Sequence, residues 1–202
     1  MVVFVKEPRP GRVKTRLARM VGPVGAAWWY RHQAGALIRR LGGDPRWRLA
    51  LAVSPDAEGM ASRVWPRGIA RLPQGGGDLG RRMTRALARA RTLTPGPVAV
   101  VGSDVPGLDG RALARALDAL KGADAALGPA PDGGFWFLGL APGRCLAPDA
   151  LDGARWSSPH ALADTRARLA PRRVALGPML ADVDEAADLR ALGLAVPTRG
   201  PR

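Results

Sequence analysis

Short runs of apolar residues alternate along the chain with longer segments whose apolar residues recur at helical spacing. Val2–Val5 and Leu49–Val53 are continuous apolar runs of strand length, whereas Leu113, Ala116 and Leu120 follow the period of a helix buried on one face. Strands that alternate with helices in this way are typical of βαβ units around a mostly parallel sheet. The pattern therefore predicts an α/β fold with a Rossmann-like central sheet flanked by helices.

The same pattern predicts the remaining elements. Further strands are expected near Ile69–Leu72, Pro97–Val101, Ala125–Leu127, Phe135–Leu140 and Val174–Leu176. Helices are expected over Val24–Leu41, in a segment with Leu79, Met83, Leu87 and Ala90 inward, and from the acidic run at 182–185 to Leu192. Asp78 is expected to cap the second of these helices. Since no repeat or linker interrupts the pattern, we expect one domain over 1–195 and a frayed tail over 196–202.

Length and composition are those of a soluble protein with one core. The chain has 202 residues, of which 47% are hydrophobic. Its apolar runs are shorter than the roughly 18 residues that cross a bilayer, and Val2–Val5 is too short for a signal-peptide core. We therefore expect a cytoplasmic protein without membrane insertion. Cys145 is the single cysteine, which excludes an internal disulfide.

The chain is strongly basic. Its 31 basic and 17 acidic residues give a formal charge of +14, which attracts polyanions such as nucleic acid or phosphorylated substrates. Because only three of the basic residues are lysines and the arginines spread over the whole chain, much of this charge reflects a general compositional bias. A non-enzymatic nucleic-acid-binding protein remains an alternative, although no RNA- or DNA-binding motif is present.

Ligands of open parallel α/β sheets bind beyond the carboxyl ends of the strands, so residues that follow strands are the candidates for chemistry. The loop 6–17 after the first strand carries five cations: Lys6, Arg9, Arg12, Lys14 and Arg16. Guanidinium and ammonium groups at a helix start can neutralise a di- or triphosphate, and the loop lacks the Gly-Lys-Ser/Thr ending of a P-loop. The loop is a candidate phosphate clamp, and a solvated basic loop is the alternative.

Aspartates that follow two further strands are candidate metal ligands. Asp104, in Gly-Ser-Asp-Val-Pro, ends a buried strand and could hold a hard divalent cation, Mg²⁺ or Mn²⁺, together with substrate phosphates. Asp182 and Asp184 would share one side of an extended segment and could complete that metal site. The alternatives are that Asp104 only forms a turn and that Asp184 only caps the last helix.

Two glycine-containing turns are candidate substrate contacts. Asp132 precedes Gly133 and Gly134, where missing side chains let a sugar approach the backbone, although an Asp-Gly turn is common by chance. Gln74 and Gly75 open a glycine-rich segment that could form a slot for a nucleotide base.

In chain order, six segments resemble the bacterial family of radical-SAM/selenodomain-associated transferases, also labelled arsenosugar-biosynthesis glycosyltransferases. These segments are Lys6–Leu17, Gln74–Met83, Gly102–Leu108, Gly128–Gly139, Trp156–Ser158 and Asp182–Leu189. The resemblance implies a GT-A nucleotide-diphospho-sugar transferase fold, a nucleotide ligand and a divalent ion. By this resemblance, Asp104 corresponds to the metal-binding aspartate of the family. Asp182 and Asp184 correspond to its late acidic motif, and Gln74 to a residue that contacts the base. Phe135–Phe137 and Arg81 depart from the family pattern, which bears on the acceptor.

Two reactions are compatible with this resemblance. In glycosyl transfer from a nucleotide sugar, the metal and the basic loop would stabilise the leaving nucleoside diphosphate while a small-molecule acceptor attacks the sugar. Asp132 would then face the sugar or act as the base. In nucleotidyl transfer, Lys14 and Arg16 would hold the outer phosphates of an NTP while a substrate phosphate attacks and pyrophosphate leaves. The family label favours glycosyl transfer, whereas the dense cation loop favours a triphosphate. The base, the sugar, the acceptor and the oligomeric state stay open.

Overall fold

The computed structural model describes residues 1–195 and Pro197. Its strands are β1 (Val2–Lys6), β2 (Ala50–Ser54), β3 (Ala70–Pro73), β4 (Val98–Val101), β5 (Ala125–Pro129), β6 (Phe135–Leu140) and β7 (Val174–Leu176). Its helices are α1 (Thr15–Gly42), α2 (Asp56–Ala61), α3 (Leu79–Arg91), α4 (Gly110–Asp118), α5 (Ala161–Leu169) and α6 (Ala186–Ala191). The predicted α/β fold, with a central sheet flanked by helices, is confirmed.

All seven strands belong to one sheet, in the order β3-β2-β1-β4-β6-β5-β7. The pairs β1·β2, β1·β4, β2·β3 and β5·β7 are parallel, and β6 runs antiparallel to both of its neighbours. Strand β6 reverses because only the short turn 130–134 separates it from β5, and a parallel return would need a longer crossover. The predicted mostly parallel sheet is therefore correct, with one antiparallel strand inside it.

The two faces of the sheet carry separate cores. Along β1, Val3 and Val5 pack towards α1, α4 and α6, whereas Val2 belongs to the core shared with α3 and α5. This division follows from the two-residue side-chain period of a strand. The four residues of β4 are all buried, as expected of a strand covered on both faces.

Two details of the predicted helices are wrong. The first helix begins at Thr15 and not at Val24, because Gly22 and Pro23 only kink it, with Gly22 at φ 77° and ψ 160°. Leu79 is 42% exposed rather than inward, and Gly80 is the buried residue of that turn, against Trp156. Asp78 caps α3 as predicted, since its side chain accepts a hydrogen bond from the Arg81 N–H.

No helix within the described residues is both long and apolar enough to cross a bilayer, and this includes the 28-residue α1. Apart from Pro197, the predicted frayed tail at 196–202 lies outside the described residues. The sheet itself takes strands from Val2 to Leu176.

Candidate functional site

The predicted site residues lie in loops at the carboxyl edge of the parallel strands. The basic loop follows β1, Asp104 follows β4, and Asp132 follows β5. The segment 177–184 continues from β7 past this edge: Gly177 N–H donates to Leu127 O and Leu180 N–H to Pro129 O. Residues from four parts of the chain thus converge beyond the ends of neighbouring strands, where ligands of open α/β sheets bind.

Asp104, Asp182 and Asp184 come together there, with ligand oxygens within 4.8 Å of one another. We call these three residues the acidic cluster. The Val183 N–H donates to Asp104 O at 3.1 Å, and the Val183 side chain is fully buried. Because Val183 points into the core, the carboxylates on either side of it face Asp104, as the two-residue period predicts. The helix-cap alternative for Asp184 is wrong, because Glu185 is the N-cap of α6 and pairs reciprocally with Asp188.

Lys14 joins the acidic cluster through a buried ammonium group. Its Nζ forms ion pairs with Asp104 Oδ2 and, at 2.8 Å, with Asp184 Oδ1, and its side chain is 6% exposed. Burial opposes the charged form, but the carboxylates of Asp104 and Asp184 outweigh it and raise the pKa of Lys14. Lys14 also has a left-handed backbone, at φ 46° and ψ 49°, which is uncommon outside glycine and concentrates at functional sites.

The three carboxylates differ in what they already bind. Asp184 accepts from Lys14 and, at 3.2 Å, from Arg16; although burial opposes its ionisation, the Lys14 charge lowers the pKa of Asp184. Asp182 accepts no hydrogen bond and forms no ion pair among the described residues. Burial, followed by the charges of Asp104 and Asp132, raises the pKa of Asp182 to about 6. Asp182 is therefore the carboxylate of the cluster whose ionised form a bound cation would stabilise most.

The basic loop divides into two groups. Lys14 and Arg16 reach the acidic cluster, whereas Arg9 and Arg12 pair with Glu58 of α2 at 2.5 and 3.1 Å. Lys6 is exposed, and its ammonium forms no ion pair with a described residue. Of the predicted clamp, the structure thus brings Lys14 and Arg16 to the cluster and holds Arg12 elsewhere. Lys14 gives α1 no side-chain cap, so the amides of the first helical turn remain free for an anion.

Asp132 forms a tight turn beside the acidic cluster. Its Oδ1 accepts from Gly134 N–H at 2.8 Å, and Gly133 lies at φ 84°. The turn-forming alternative is thus correct as a description of the local geometry, and the exposed carboxylate is still close enough to raise the pKa of Asp182. A Cβ at Gly133 would lie 2.7 Å from the carbonyl carbon of Pro159, so protein packing alone requires this glycine.

The predicted base slot is mostly filled by protein. The Gln74 side chain is 4% exposed and its amide group donates to Val5 O and Ala52 O, at 3.2 and 2.8 Å. Arg85 lies against Gly75 and donates to Gln74 O, while Gly75 N–H donates to Asp56. Gln74 therefore links β1 to β2, and only its amide oxygen is left for a base.

A buried pair of hydroxyl groups supports the site and was not predicted from the sequence. The Tyr30 hydroxyl accepts from Lys6 N–H and bonds Ser103 Oγ, both at 2.9 Å. Tyr30 is 5% and Ser103 4% exposed, and burial raises the pKa of Tyr30 to about 12. This pair links the basic loop to the residue that precedes Asp104. Tyr30 lies within a helical apolar pattern, and the available signal was a tyrosine among core positions, whose hydroxyl needs a partner when buried.

The chain is similar to several proteins of known structure. A provisionally assigned nucleotide-diphospho-sugar transferase from Desulfovibrio desulfuricans G20 is 34% identical, with a TM-score of 0.82 over 95% of this chain and 84% of that one. Rv0371c from Mycobacterium tuberculosis H37Rv, solved with manganese, is 18% identical, with a TM-score of 0.52 over 95% and 96%. The bifunctional IspDF from Campylobacter jejuni is 12% identical, with a TM-score of 0.56 over 98% and 55%.

These likenesses confirm the predicted nucleotide-diphospho-sugar transferase fold. No curated protein is significantly similar to the chain. A family model matches residues 37–158, which is more than half of the chain, and it is described as an uncharacterized protein conserved in bacteria, DUF2064. From this match, and from a relative 34% identical over most of both lengths, we conclude that the chain belongs to the DUF2064 family.

Proposed function

We propose that this protein is a metal-dependent glycosyltransferase that moves a sugar from a nucleotide-sugar donor to a small-molecule acceptor. The observation that carries the proposal is the acidic cluster, which lies beside Lys14 and the uncapped start of α1 at the ligand-binding edge of the sheet. The name of the 34% identical relative and the resemblance to arsenosugar-type glycosyltransferases both support this class of reaction.

Asp104 and Asp182 are the residues proposed to hold the metal. Asp182 has no partner among the described residues, and Asp104 uses one oxygen for Lys14, so both retain oxygens of the kind that Mg²⁺ and Mn²⁺ prefer. Asp184 has each of its oxygens on a cation, so we assign it mainly to positioning Lys14 and Arg16. The ion, when bound, would neutralise charge on the leaving diphosphate. Mn²⁺ is the first ion to test, because it is the ion in the Rv0371c complex.

Lys14, Arg16 and the first-turn amides of α1 are proposed to bind the diphosphate. Arg16 is half exposed and able to turn towards a ligand, whereas Lys14 is fixed in place by two carboxylates. An uncapped helix start adds amide donors and the positive end of the helix dipole. These groups would stabilise the leaving nucleoside diphosphate more than the intact donor, because negative charge increases as the sugar departs.

Asp132 is proposed to face the sugar or to accept the proton of the acceptor hydroxyl. Its Oδ2 forms no hydrogen bond with a described residue, whereas Oδ1 is fixed by the Gly134 amide. That bond orients the carboxylate before a substrate arrives, and the exposure of Asp132 leaves Oδ2 open to a ligand.

Nucleotidyl transfer is the second candidate. The contact of Lys14 and Arg16 with the acidic cluster suits the outer phosphates of an NTP as well as a diphosphate. The rest of the dense cation loop supports this candidate less, because Arg9 and Arg12 are paired with Glu58. A triphosphate would have to break those pairs to use both arginines.

Product analysis separates the two candidates. Purified protein with Mn²⁺ is incubated with nucleotide sugars or with NTPs, each with a panel of hydroxyl-bearing and phosphorylated acceptors. Glycosyl transfer predicts release of a nucleoside diphosphate from a nucleotide sugar. Pyrophosphate release that requires an NTP and a phosphorylated acceptor would replace this proposal with nucleotidyl transfer. Tight oligonucleotide binding without a response to any nucleotide would contradict both. Asp104→Asn should abolish the reaction. Asp152→Asn is its matched control and should leave the reaction unchanged, since Asp152 is a surface carboxylate paired with Arg81.

A further inference from the structure

The Lys14 ammonium group lies within the acidic cluster. It pairs with Asp104 Oδ2 and, at 2.8 Å, with Asp184 Oδ1, and only 6% of the side chain is exposed. Ligand oxygens of the three carboxylates are within 4.8 Å of one another, so a cation that contacts two of them takes up space that a metal ion would need. Burial raises the pKa of Asp182, and the charge of Lys14 opposes that rise. Lys14 therefore acts as a cation for all three carboxylates.

Lys14 and the proposed metal share one ligand. Asp104 is a proposed metal ligand, and it is also a partner of the Lys14 ammonium. Two cations on one partly buried carboxylate repel each other, because water screens charges poorly there. Asp184 differs, since each of its oxygens already contacts a cation, either Lys14 or Arg16. The two carboxylates thus hold Lys14 in place until Asp104 binds another cation, and the ammonium then keeps Asp184 as its partner.

The start of α1 offers the displaced ammonium a new partner. Lys14 is the N-cap residue of α1, and its side chain forms no cap hydrogen bond with the first helical turn. Its backbone therefore adjoins the amides that are proposed to bind the diphosphate. A lysine ammonium is a point charge on a flexible four-carbon stem, so it is able to turn from a carboxylate to a phosphate bound beside it.

We propose that Lys14 is an exchangeable counter-ion, which neutralises Asp104 until a divalent ion takes its place and then pairs with the diphosphate of the donor. The inference rests on the proposed function, from which it takes the metal ligands and the diphosphate. The ion releases Lys14 for the diphosphate, and the diphosphate withdraws Lys14 from Asp104. Each ligand should therefore strengthen the binding of the other, and this coupling is reciprocal.

A Lys14 that stays on Asp104 is the alternative. In that arrangement the ammonium orients the carboxylate, and a metal binds at its other oxygen. The two arrangements predict opposite effects when the ammonium is removed. A Lys14 that stays supports the metal site, so its loss weakens metal binding. A Lys14 that exchanges competes with the ion, so its loss strengthens metal binding.

Chemical modification of lysines follows Lys14 in the wild-type protein. The chain has three lysines, and the exposed Lys6 and Lys121 serve as internal controls. Brief reductive methylation, measured by mass spectrometry of peptides, should modify the buried Lys14 slowly. Mn²⁺ should raise the rate at Lys14 at least about fivefold and leave both controls within about twofold. Inorganic pyrophosphate added with Mn²⁺ should slow the modification of Lys14 again.

Mn²⁺ affinity in two variants gives a second measurement. Lys14→Met removes the ammonium and keeps a long side chain, and Arg16→Met is its charge-matched control, because Arg16 pairs with Asp184 and not with the shared ligand Asp104. Electron paramagnetic resonance of free Mn²⁺ should show at least about tenfold tighter binding in Lys14→Met and a change within about threefold in Arg16→Met. Circular dichroism establishes that both variants are folded.

The outcomes separate this inference from the proposed function. An unchanged rate of Lys14 modification in wild-type protein that binds Mn²⁺ would overturn exchange and leave the metal site intact. Weaker Mn²⁺ binding in folded Lys14→Met, or an equal gain in the two variants, would overturn exchange as well. A Lys14 that stays reactive with pyrophosphate would overturn its pairing with the diphosphate. Mn²⁺ binding by neither the wild type nor Lys14→Met would contradict both the metal site and the exchange.

Discussion

At the scale of single residues, the charges of the candidate site do not balance. The acidic cluster has three carboxylates, and the cations in contact with it are Lys14 and Arg16, which leaves one negative charge when all are ionised. Asp132 adds another negative charge nearby. This excess raises the pKa of Asp182, because an ionised carboxylate is costly when it is partly buried beside like charges. A bound divalent cation would remove that cost.

We expect metal binding to weaken in acid as Asp182 takes up a proton. The pKa of Asp182 is raised to about 6, so below that pH the ion must displace a proton, whereas above it the carboxylate is already free. The Mn²⁺ affinity should therefore be level above about pH 7 and fall towards tenfold for each pH unit below about 6. Calorimetric titrations at several pH values measure this. An equal affinity at about pH 5 and about pH 7.5 would show that Asp182 is not a ligand.

Tyr30 is expected to stabilise the fold through its buried hydroxyl group. In Tyr30→Phe the Lys6 N–H loses its acceptor, and an unsatisfied buried donor costs about 1–3 kcal/mol. Ser103→Ala should cost less, because the Tyr30 oxygen then still accepts from Lys6. The free energy of unfolding from urea titrations gives both values. If Ser103→Ala were the more harmful change, the linking role assigned to Tyr30 would be wrong.

At the scale of elements, the turn 130–134 determines both the direction of β6 and the position of Asp132. Ala130 N–H donates to Gly134 O, and Leu162 N–H donates to Gly133 O, which ties the turn to the start of α5. Apolar runs predicted both strands and the turn between them. They did not predict that Gly133 packs against Pro159, because that contact joins segments distant in sequence.

Gly133 and Gly122 form a matched pair for testing this turn. Both have positive φ, at 84° and 82°, but a Cβ at Gly122 meets nothing within 4 Å, whereas one at Gly133 would overlap the carbonyl group of Pro159. Gly122→Ala should cost about 1–2 kcal/mol from backbone strain alone. Gly133→Ala should cost clearly more and should also lower activity, because the turn that holds Asp132 must move. Equal destabilisation in denaturant titrations would contradict the described packing.

At the scale of the whole molecule, much of the basic charge is neutralised or used internally. Arg9 and Arg12 pair with Glu58, Arg81 pairs with Asp152, and Arg85 bonds backbone carbonyls. Net charge alone could not show this, because the partners of each arginine depend on the fold. Other arginines, Arg19 and Arg31 of α1 among them, are exposed and have no partner among the described residues.

The order of elements and the acidic cluster could both be predicted from the sequence, because strand ends of a parallel sheet share one edge and the period of a strand fixes Asp182 and Asp184 on one side. The sequence could not predict the ion pairs of Lys14 or the two hydrogen bonds that the Gln74 amide donates. These contacts depend on the directions of side chains in three dimensions. The three glycines at 75–77 indicated a slot for a ligand. In the structure the Arg85 side chain occupies the space beside Gly75, so protein packing explains the need for a glycine there.

Donor binding should stabilise the whole molecule. A ligand at about 100 times its Kd adds roughly 2.7 kcal/mol to the free energy of unfolding. For a domain of this size, that corresponds to an increase in Tm of about 5–10 °C. Thermal melts should show this increase with Mn²⁺ and a nucleotide sugar together, and a smaller one with either alone. A larger increase with an NTP than with any nucleotide sugar would favour nucleotidyl transfer.

The most direct test of the account is Mn²⁺ binding to the wild type and to Asp104→Asn and Asp182→Asn, followed by electron paramagnetic resonance of the free ion. We expect one site in the wild type, a loss of affinity of at least about 100-fold in each variant, and no change in Asp152→Asn. Circular dichroism should show that both variants remain folded, because Asp182 has no protein partner among the described residues and the buried Lys14 keeps its ion pair with Asp184 when Asp104 is replaced. Wild-type affinity for Mn²⁺ in folded Asp104→Asn protein would contradict the proposed metal site.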